Sequence, residues 1–409
     1  MHIELKRGCD KRHTAPAAQD WKTTMSFSPQ PFRCHVPDAV LADLKQRLGR
    51  TRLPDQLEGA GWDYGTERDY LDALCAYWRD TFDWRAAEAR FNRFPQFTTE
   101  IEGENVHFYH IRSPEPDAVP LIITHGFPGS VAEFLDILGP LSDPASHDGD
   151  RRDAFHVVAP SIPGYGFSGP TRHKGFNIAK AADVNIGLME QLGYDRYIAQ
   201  GGDFGSAISG VMAMKHPERM IALHLNFILG RPADPANPFT GLSETEIAEQ
   251  EWKRNYDAHE SGYQAIQGTK PQTLAYGLTD SPAGLAAWII EKFRTWSDCG
   301  DNIEQSFSKD HLLENIMLYW VTGTINSAMR LYYESIGPGR APAADLSFIA
   351  VPTAHARFPA EIRPTPRLWA EQMYNIVRWT KQPKGGHFAA FEQPQLFLND
   401  LRAFCRDYR

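Results

Sequence analysis

Cysteine is scarce in this 409-residue chain: five residues, at positions 9, 34, 75, 299 and 405, widely spaced and with no C-x-x-C pair. That scarcity argues against a disulfide framework or a cysteine-based zinc site, and it suits a reducing, cytoplasmic compartment. No run of 18 apolar residues occurs, so no membrane-spanning helix is expected. Residues 1–25 lack an apolar stretch and do not read as a secretory signal. Residues 1–26 read as a disordered tail, with Met25 an alternative start to Met1. Positive charge is in deficit, 42 Lys and Arg against 51 Asp and Glu, for a net charge of −9. A chain without a basic stripe is a poor nucleic-acid binder. H-E-x-x-H, G-x-x-x-x-G-K-[ST] and G-x-S-x-G are all missing, which removes the zincin, P-loop and serine-esterase readings. No internal repeat of 20–50 residues is found.

What is present is ordinary globular composition, 42% hydrophobic and 23% charged, with aromatics at 12%, a share that suits an apolar pocket. Residues 27–100 read as helical. One helix follows an Asp38 cap, with Val40, Leu41, Leu44 and Leu48 on one face, and closes at Gly49. A second starts at a Thr66–Asp69 capping-box variant and carries Tyr70, Leu71, Leu74, Tyr77 and Trp78. The aromatic stretch from Phe82 to Phe97 reads as a packing surface, which we expect to lie against the lid and narrow the route to the pocket.

Over 101–230 apolar runs alternate with helical segments, at 106–111, 119–124, 154–159, 196–200 and 220–225. Buried strands separated by helices predict a mostly parallel, doubly wound α/β sheet with ligands at the strand ends. Residues 231–345 break the rhythm with a helical, aromatic-rich lid. Strands return at 347–351 and 373–380, placing the second part of the core at 346–409.

Three loops carry chemistry. Gly201-Gly202-Asp203-Phe204-Gly205-Ser206 follows a strand and precedes a helix expected over 207–215. Small residues around a central one are what a strained strand-to-helix elbow requires, and here the nucleophile slot holds Asp203. An ionised carboxylate needs no base to attack carbon, and the attack leaves an ester on the enzyme. His125-Gly126-Phe127-Pro128-Gly129-Ser130 follows an earlier strand, where the N–H groups of Phe127 and Phe204 can converge on one oxygen as an oxyanion hole. Gly385-Gly386-His387-Phe388 comes late enough to supply the histidine in the order nucleophile, acid, histidine. Glu361, after a strand ending at Val351 and a turn over 352–359, fits the acid; a surface glutamate is the alternative. Gly164 to Gly169 matches G-x-G-x-x-G, but Pro163 and Pro170 flank it and no helix opens from it, so a dinucleotide site is not expected.

Together these segments resemble the microsomal-type epoxide hydrolases, which carry an N-terminal epoxide-hydrolase domain ahead of an α/β-hydrolase fold. The resemblance covers residues 27–405. It rests on FDWR at 82–85, FPQF at 94–97, HGFPGS at 125–130, GYGFSGP at 164–170, GGDFGS at 201–206, DSPAGLAAWIIEKF at 280–293, LYWVTGTI at 318–325 and GGHFAAFEQP at 385–394. It implies that Asp203 is the nucleophile, His387 the base and Glu361 its orienting acid. It also implies two lid tyrosines that protonate the epoxide oxygen: Tyr263 in GYQAIQGTKP, and Tyr332 in RLYYES with Tyr333 adjacent to it. The implied partners are an epoxide and water, with no cofactor and no metal.

The family often has Trp where this chain has Phe127 and Phe204. The anchor of its microsomal members is missing from the sequence, so a soluble enzyme is expected. Detoxification and catabolism of aromatic hydrocarbons are both compatible roles, and the oligomeric state stays open, a homodimer included. A haloalkane dehalogenase and a non-catalytic binding protein on the same fold are the alternatives. The first would need a side-chain N–H donor beside the nucleophile, which Phe204 does not offer.

Overall fold

The computed structural model describes residues 29–340 and 347–409. The expected tail at 1–26, the choice between Met1 and Met25 and the last residues of the expected lid, 341–345, lie outside the described residues.

The strands are β1 (Gln30–Phe32), β2 (Gln96–Ile101), β3 (Glu104–Ile111), β4 (Val119–Thr124), β5 (Phe155–Pro160), β6 (Tyr197–Gly201), β7 (Met220–Leu225), β8 (Ile349–Arg357) and β9 (Tyr374–Lys381). They form one sheet in the order β1-β2-β3-β5-β4-β6-β7-β8-β9. Pairing is antiparallel from β1 to β5 and parallel from β5 to β9. The sheet is thus mixed, an α/β-hydrolase fold: the apolar runs at 119–124, 154–159, 196–200 and 220–225 are parallel strands, whereas the run at 106–111 is β3, antiparallel to both its neighbours. Leu121, Ile122 and Ile123 of β4 and Tyr197, Ile198 and Ala199 of β6 are fully buried, as central parallel strands covered on both faces must be.

The helices are α1 (Asp38–Gly49), α2 (Arg68–Asp80), α3 (Trp84–Phe91), α4 (Leu135–Ser142), α5 (Ile178–Gln191), α6 (Asp203–Lys215), α7 (Glu244–Glu260), α8 (Gly262–Thr269), α9 (Pro271–Asp280), α10 (Pro282–Trp296), α11 (Lys309–Thr322), α12 (Ile325–Ile336), α13 (Arg367–Ala370), α14 (Ala389–Glu392) and α15 (Pro394–Cys405). α5 and α6 pack on each other and on the sheet, as do α4 and α15. α7 to α12 form the lid, inserted between β7 and β8.

Local expectations differ from the structure at six places. Residues 30–32, inside the segment read as helical, are strand β1, paired with β2. Residues 96–101 are strand β2, although 96–97 read as packing surface and the segment through 100 as helical; β2 joins β3 through Glu102 and Gly103 at φ of 54° and 78°. Two residues at positive φ make the turn type whose twist matches a hairpin. α1 has no side-chain cap, since Asp38 is its first residue and its carboxylate pairs with Arg85. α2 starts at Arg68 without a capping box, because the Thr66 hydroxyl donates to Ala287 O of the lid at 2.7 Å. β8 does not end at Val351 before a turn: it runs to Arg357 and takes Pro352 at a register shift, where a missing N–H is tolerated. α6 begins at Asp203 rather than Ala207.

The N-terminal helices are fastened to the lid. Arg47 pairs with Asp280 at 2.9 Å, Tyr77 OH donates to Asp310 at 2.9 Å, and Trp78 Nε1 lies 3.2 Å from Met317 Sδ. Arg90 reaches Glu314 of the lid at 2.5 Å and Asp136 of α4 at 2.6 Å, joining block, lid and core through one guanidinium.

Candidate active site

The elbow between β6 and α6 is built by exclusion of side chains. Asp203 has φ of 47°, a left-handed conformation that a non-glycine residue adopts at a cost of roughly 1–3 kcal/mol. Its neighbours leave no slack. A Cβ on Gly205 would stand 1.8 Å from the Thr124 carbonyl oxygen, and one on Gly201 2.2 Å from that of Gly205. A Cβ on Gly126 would stand 2.2 Å from Asp203 Oδ1, so the carboxylate occupies the space that this glycine leaves. The Phe127 N–H donates to Asp203 Oδ1 at 2.8 Å. The Phe204 N–H is among the first four of α6, which no helix carbonyl can accept.

His387 sits in the loop after β9, and the end of the lid helix α10 pins that loop. The His387 N–H donates to Trp296 O at 2.9 Å and the Gly385 N–H to Asp298 at 2.8 Å. A Cβ on Gly386 would stand 2.6 Å from Trp296 O. The imidazole Nδ1 lies 2.9 and 3.0 Å from the two oxygens of the buried Glu361, so a proton on Nδ1 has a carboxylate to donate to and Nε2 is left for chemistry. Nε2 stands 3.4 Å from Asp203 Oδ2. Burial alone would lower the histidine, but Glu361 and Asp203 more than offset it and hold the imidazole well above its ordinary range. It lies between the Glu361 and Asp203 carboxyl groups, both of which favour its protonated form.

The lid brings Tyr263 of α8 and Tyr332 of α12 to the same place, with ring centroids 5.8 Å apart and nearly perpendicular. Tyr332 lies 4.7 Å from the Phe204 ring and 5.3 Å from that of Phe127. Tyr333 is exposed, so of the adjacent pair it is Tyr332 that faces the elbow. Burial first raises both phenols; Tyr263 and Asp203 add to it for Tyr332, and Asp203 adds to it for Tyr263. Lys292 Nζ lies 4.7 Å over the Tyr263 ring.

Residues that sequence reasoning missed complete the surroundings. Trp296 and Phe227 wall the histidine, at 5.0 and 5.9 Å between centroids. Glu133, Gln200 and Asn226 line a small cavity together with Asp203 and His387. Glu133 was readable: Ser130-Val-Ala-Glu133 has capping-box spacing, and Ser130 does cap that turn, accepting from the Ala132 N–H at 3.1 Å. Gln200 and Asn226 carry no such signal, since one ends a buried strand and the other follows one.

Residues 29–134 match the family described as "Epoxide hydrolase N terminus", and residues 119–280 match "alpha/beta hydrolase fold". A putative epoxide hydrolase of Stigmatella aurantiaca is 43% identical over 380 residues, 93% of this chain and 85% of that one. Epoxide hydrolase 1 of Sus scrofa is 40% identical over 92% of this chain and 88% of its own. Among solved structures, the juvenile hormone epoxide hydrolase of Bombyx mori superposes with a TM-score of 0.85 at 34% identity, covering 94% of this chain and 95% of that one. The Aspergillus niger epoxide hydrolase does so at 0.84 and 34%, covering 93% and 97%.

Proposed function

The chain belongs to the epoxide hydrolase family, and from that premise we propose that it opens an epoxide to a vicinal diol through a covalent ester on Asp203. The observation that carries the proposal is the carboxylate itself. It is held at the elbow with one oxygen on the Phe127 N–H at 2.8 Å and the other 3.4 Å from a histidine backed by Glu361.

In the first step Asp203 Oδ2 attacks an epoxide carbon in line. The C–O bond of the ring breaks, and Tyr263 or Tyr332 gives its proton to the leaving oxygen, because an alkoxide leaves poorly without acid. The charge on Asp203 is gone once the ester forms. His387 then loses one of the two anions that hold it protonated, its pKa falls toward that of a base, and its proton passes through water to the tyrosinate that the first step left. In the second step a water gives a proton to Nε2 and its oxygen bonds to the ester carbonyl carbon. The carbonyl electrons move onto Oδ1, against Phe127 N–H and Phe204 N–H. Collapse of the oxyanion expels the diol oxygen, which takes its proton from His387; the carboxylic acid left on Asp203 then gives its proton to the neutral imidazole, which restores both the carboxylate and the imidazolium.

Microsomal type is part of the same reading, supported by the N-terminal block and its motifs. The walls of Phe127, Phe204, Tyr263, Trp296 and Tyr332 favour an apolar epoxide. Among the described residues no helix is long and apolar enough to cross a membrane.

The test is the intact mass of the His387→Gln variant after exposure to epoxides and to haloalkanes. The expected result is an adduct of the whole epoxide mass on Asp203, absent from Asp203→Ala. An adduct of haloalkane minus HX, with none from epoxides, would establish the dehalogenase instead.

A further inference from the structure

Behind Asp203, on the side of Gly202 and away from the lid, is a cavity that leaves about 20 Å³ in which the centre of a water molecule can sit. That is room for one or two waters. Its polar walls are Asp203, His387, Glu133, Gln200 and Asn226, and its apolar walls include Phe127, Phe134, Phe388 and Phe397. Gln200 donates through Nε2 to Asn226 Oδ1 at 2.8 Å, which leaves its own Oε1 without a partner. His387 Nε2 has only Asp203 Oδ2, at 3.4 Å, a partner that it loses when that oxygen is esterified. A buried water in such a place is held by two to four polar groups, and two orphaned acceptors face this one once the histidine is neutral.

Glu133 supplies what is missing, a donor. Its carboxyl is folded back over Gly129, where a Cβ would come within 1.5 Å of Oε1, and it accepts from the Ser130 N–H. Burial pushes it up to about 8, so at neutral pH it is a carboxylic acid with a proton to donate. The groups that face it are His387 and Asp203 across the cavity, Glu392 of α14 and Tyr319 of the lid.

We propose that Glu133 is a positioning residue for the second step, holding the hydrolytic water between its own O–H, Gln200 Oε1 and His387 Nε2. The proposal rests on the ester reading above. The water accepts from Glu133, donates one proton to Gln200 and presents the other to the base, with its remaining lone pair free for the ester carbon. Nothing in this arrangement touches the epoxide, so the first step is indifferent to it.

The experiment measures ester formation and ester hydrolysis separately, by rapid quench and intact mass, in wild type, Glu133→Ala and Glu133→Gln. In Glu133→Ala hydrolysis is expected to slow by at least about 10-fold while ester formation changes by less than about 3-fold. kcat and KM then fall together, and the ester accumulates during turnover. Glu133→Gln keeps an N–H donor in the same shape and is expected to hydrolyse within about 3-fold of wild type. Wild type should lose hydrolysis rate above about pH 8, as Glu133 ionises and stops donating; Glu133→Gln should lack that fall, and this profile decides the matter if the alanine variant does not fold. Equal slowing of both steps, hydrolysis at the wild-type rate in Glu133→Ala, or an unchanged alkaline fall in Glu133→Gln overturns the role of Glu133 alone. Absence of any ester in wild type and His387→Gln alike overturns the ester reading and this one with it.

Discussion

Asp203 shows how a single residue can be both legible and surprising. Its place at an elbow was readable because glycine and serine surround it in a strand-to-helix context, and its φ of 47° is the conformation such an elbow demands. The tyrosines are the opposite case. Tyr263 and Tyr332 sit in amphipathic lid helices where core packing would explain them equally well; only the resemblance singled them out, and only the folded lid sets Tyr332 against Phe204 and leaves Tyr333 outside. Two phenols near one leaving oxygen make a specific expectation. Tyr263→Phe and Tyr332→Phe should each slow ester formation by about 10- to 100-fold, and the double variant should lose it almost wholly, with ester hydrolysis little changed. Pre-steady-state quench measures both rates, and a single variant that slows hydrolysis alone would remove that tyrosine from the first step.

At the scale of elements, the central parallel strands β4 to β7 were legible because burial on both faces writes them as apolar runs. The antiparallel hairpin β2–β3 was only half legible. Its second strand is apolar, but its first, Gln96–Ile101, alternates through Thr98, Thr99 and Glu100 and carries Gln96 buried against His107. The extent of β8 was hidden by Pro352, which reads as a turn residue and in the fold occupies a bulge. Where the elements meet most tightly, substitution should be least tolerated. Gly205→Ala puts a methyl group 1.8 Å from a backbone oxygen of β4, and neither α6 nor a central strand can retreat. A loss of at least ~3 kcal/mol in urea unfolding is expected, with activity lost too. A variant as stable as wild type would show that the crossing of α6 over β4 is looser than drawn.

Over the whole molecule, buried ionisable groups set a pH window that no motif announces. Burial pushes His107 and His355 down to about 3 and His110 and His125 to about 4. It lifts Glu133 to about 8 and Glu392 to about 7. Unfolded histidines titrate near 6.5 and glutamates near 4.3. Between about pH 4.5 and 6.5 the unfolded chain therefore gains four protons at these histidines, whereas the folded chain holds two extra at the glutamates, and stability rises with pH. Above 6.5 the histidines are neutral in both states. Glu133, Glu392 and His387 then keep protons only when folded, and stability falls as pH rises. Urea midpoints should pass through a maximum at about pH 6–7 and drop most steeply below about 4.5; a midpoint climbing steadily to pH 9 would contradict it.

The fastening of the N-terminal helices to the lid has a consequence for the order in which the protein can be made. Thr66, Tyr77, Trp78 and Arg90 find their partners 221 to 239 residues further along the chain. At ribosomal speeds of about 5–20 residues per second, these helices wait on the order of 10–50 s for the surface that buries them. Residues 29–134 made alone should be readily cut by protease and should not unfold cooperatively. In the cell, these helices are finished long after they are made.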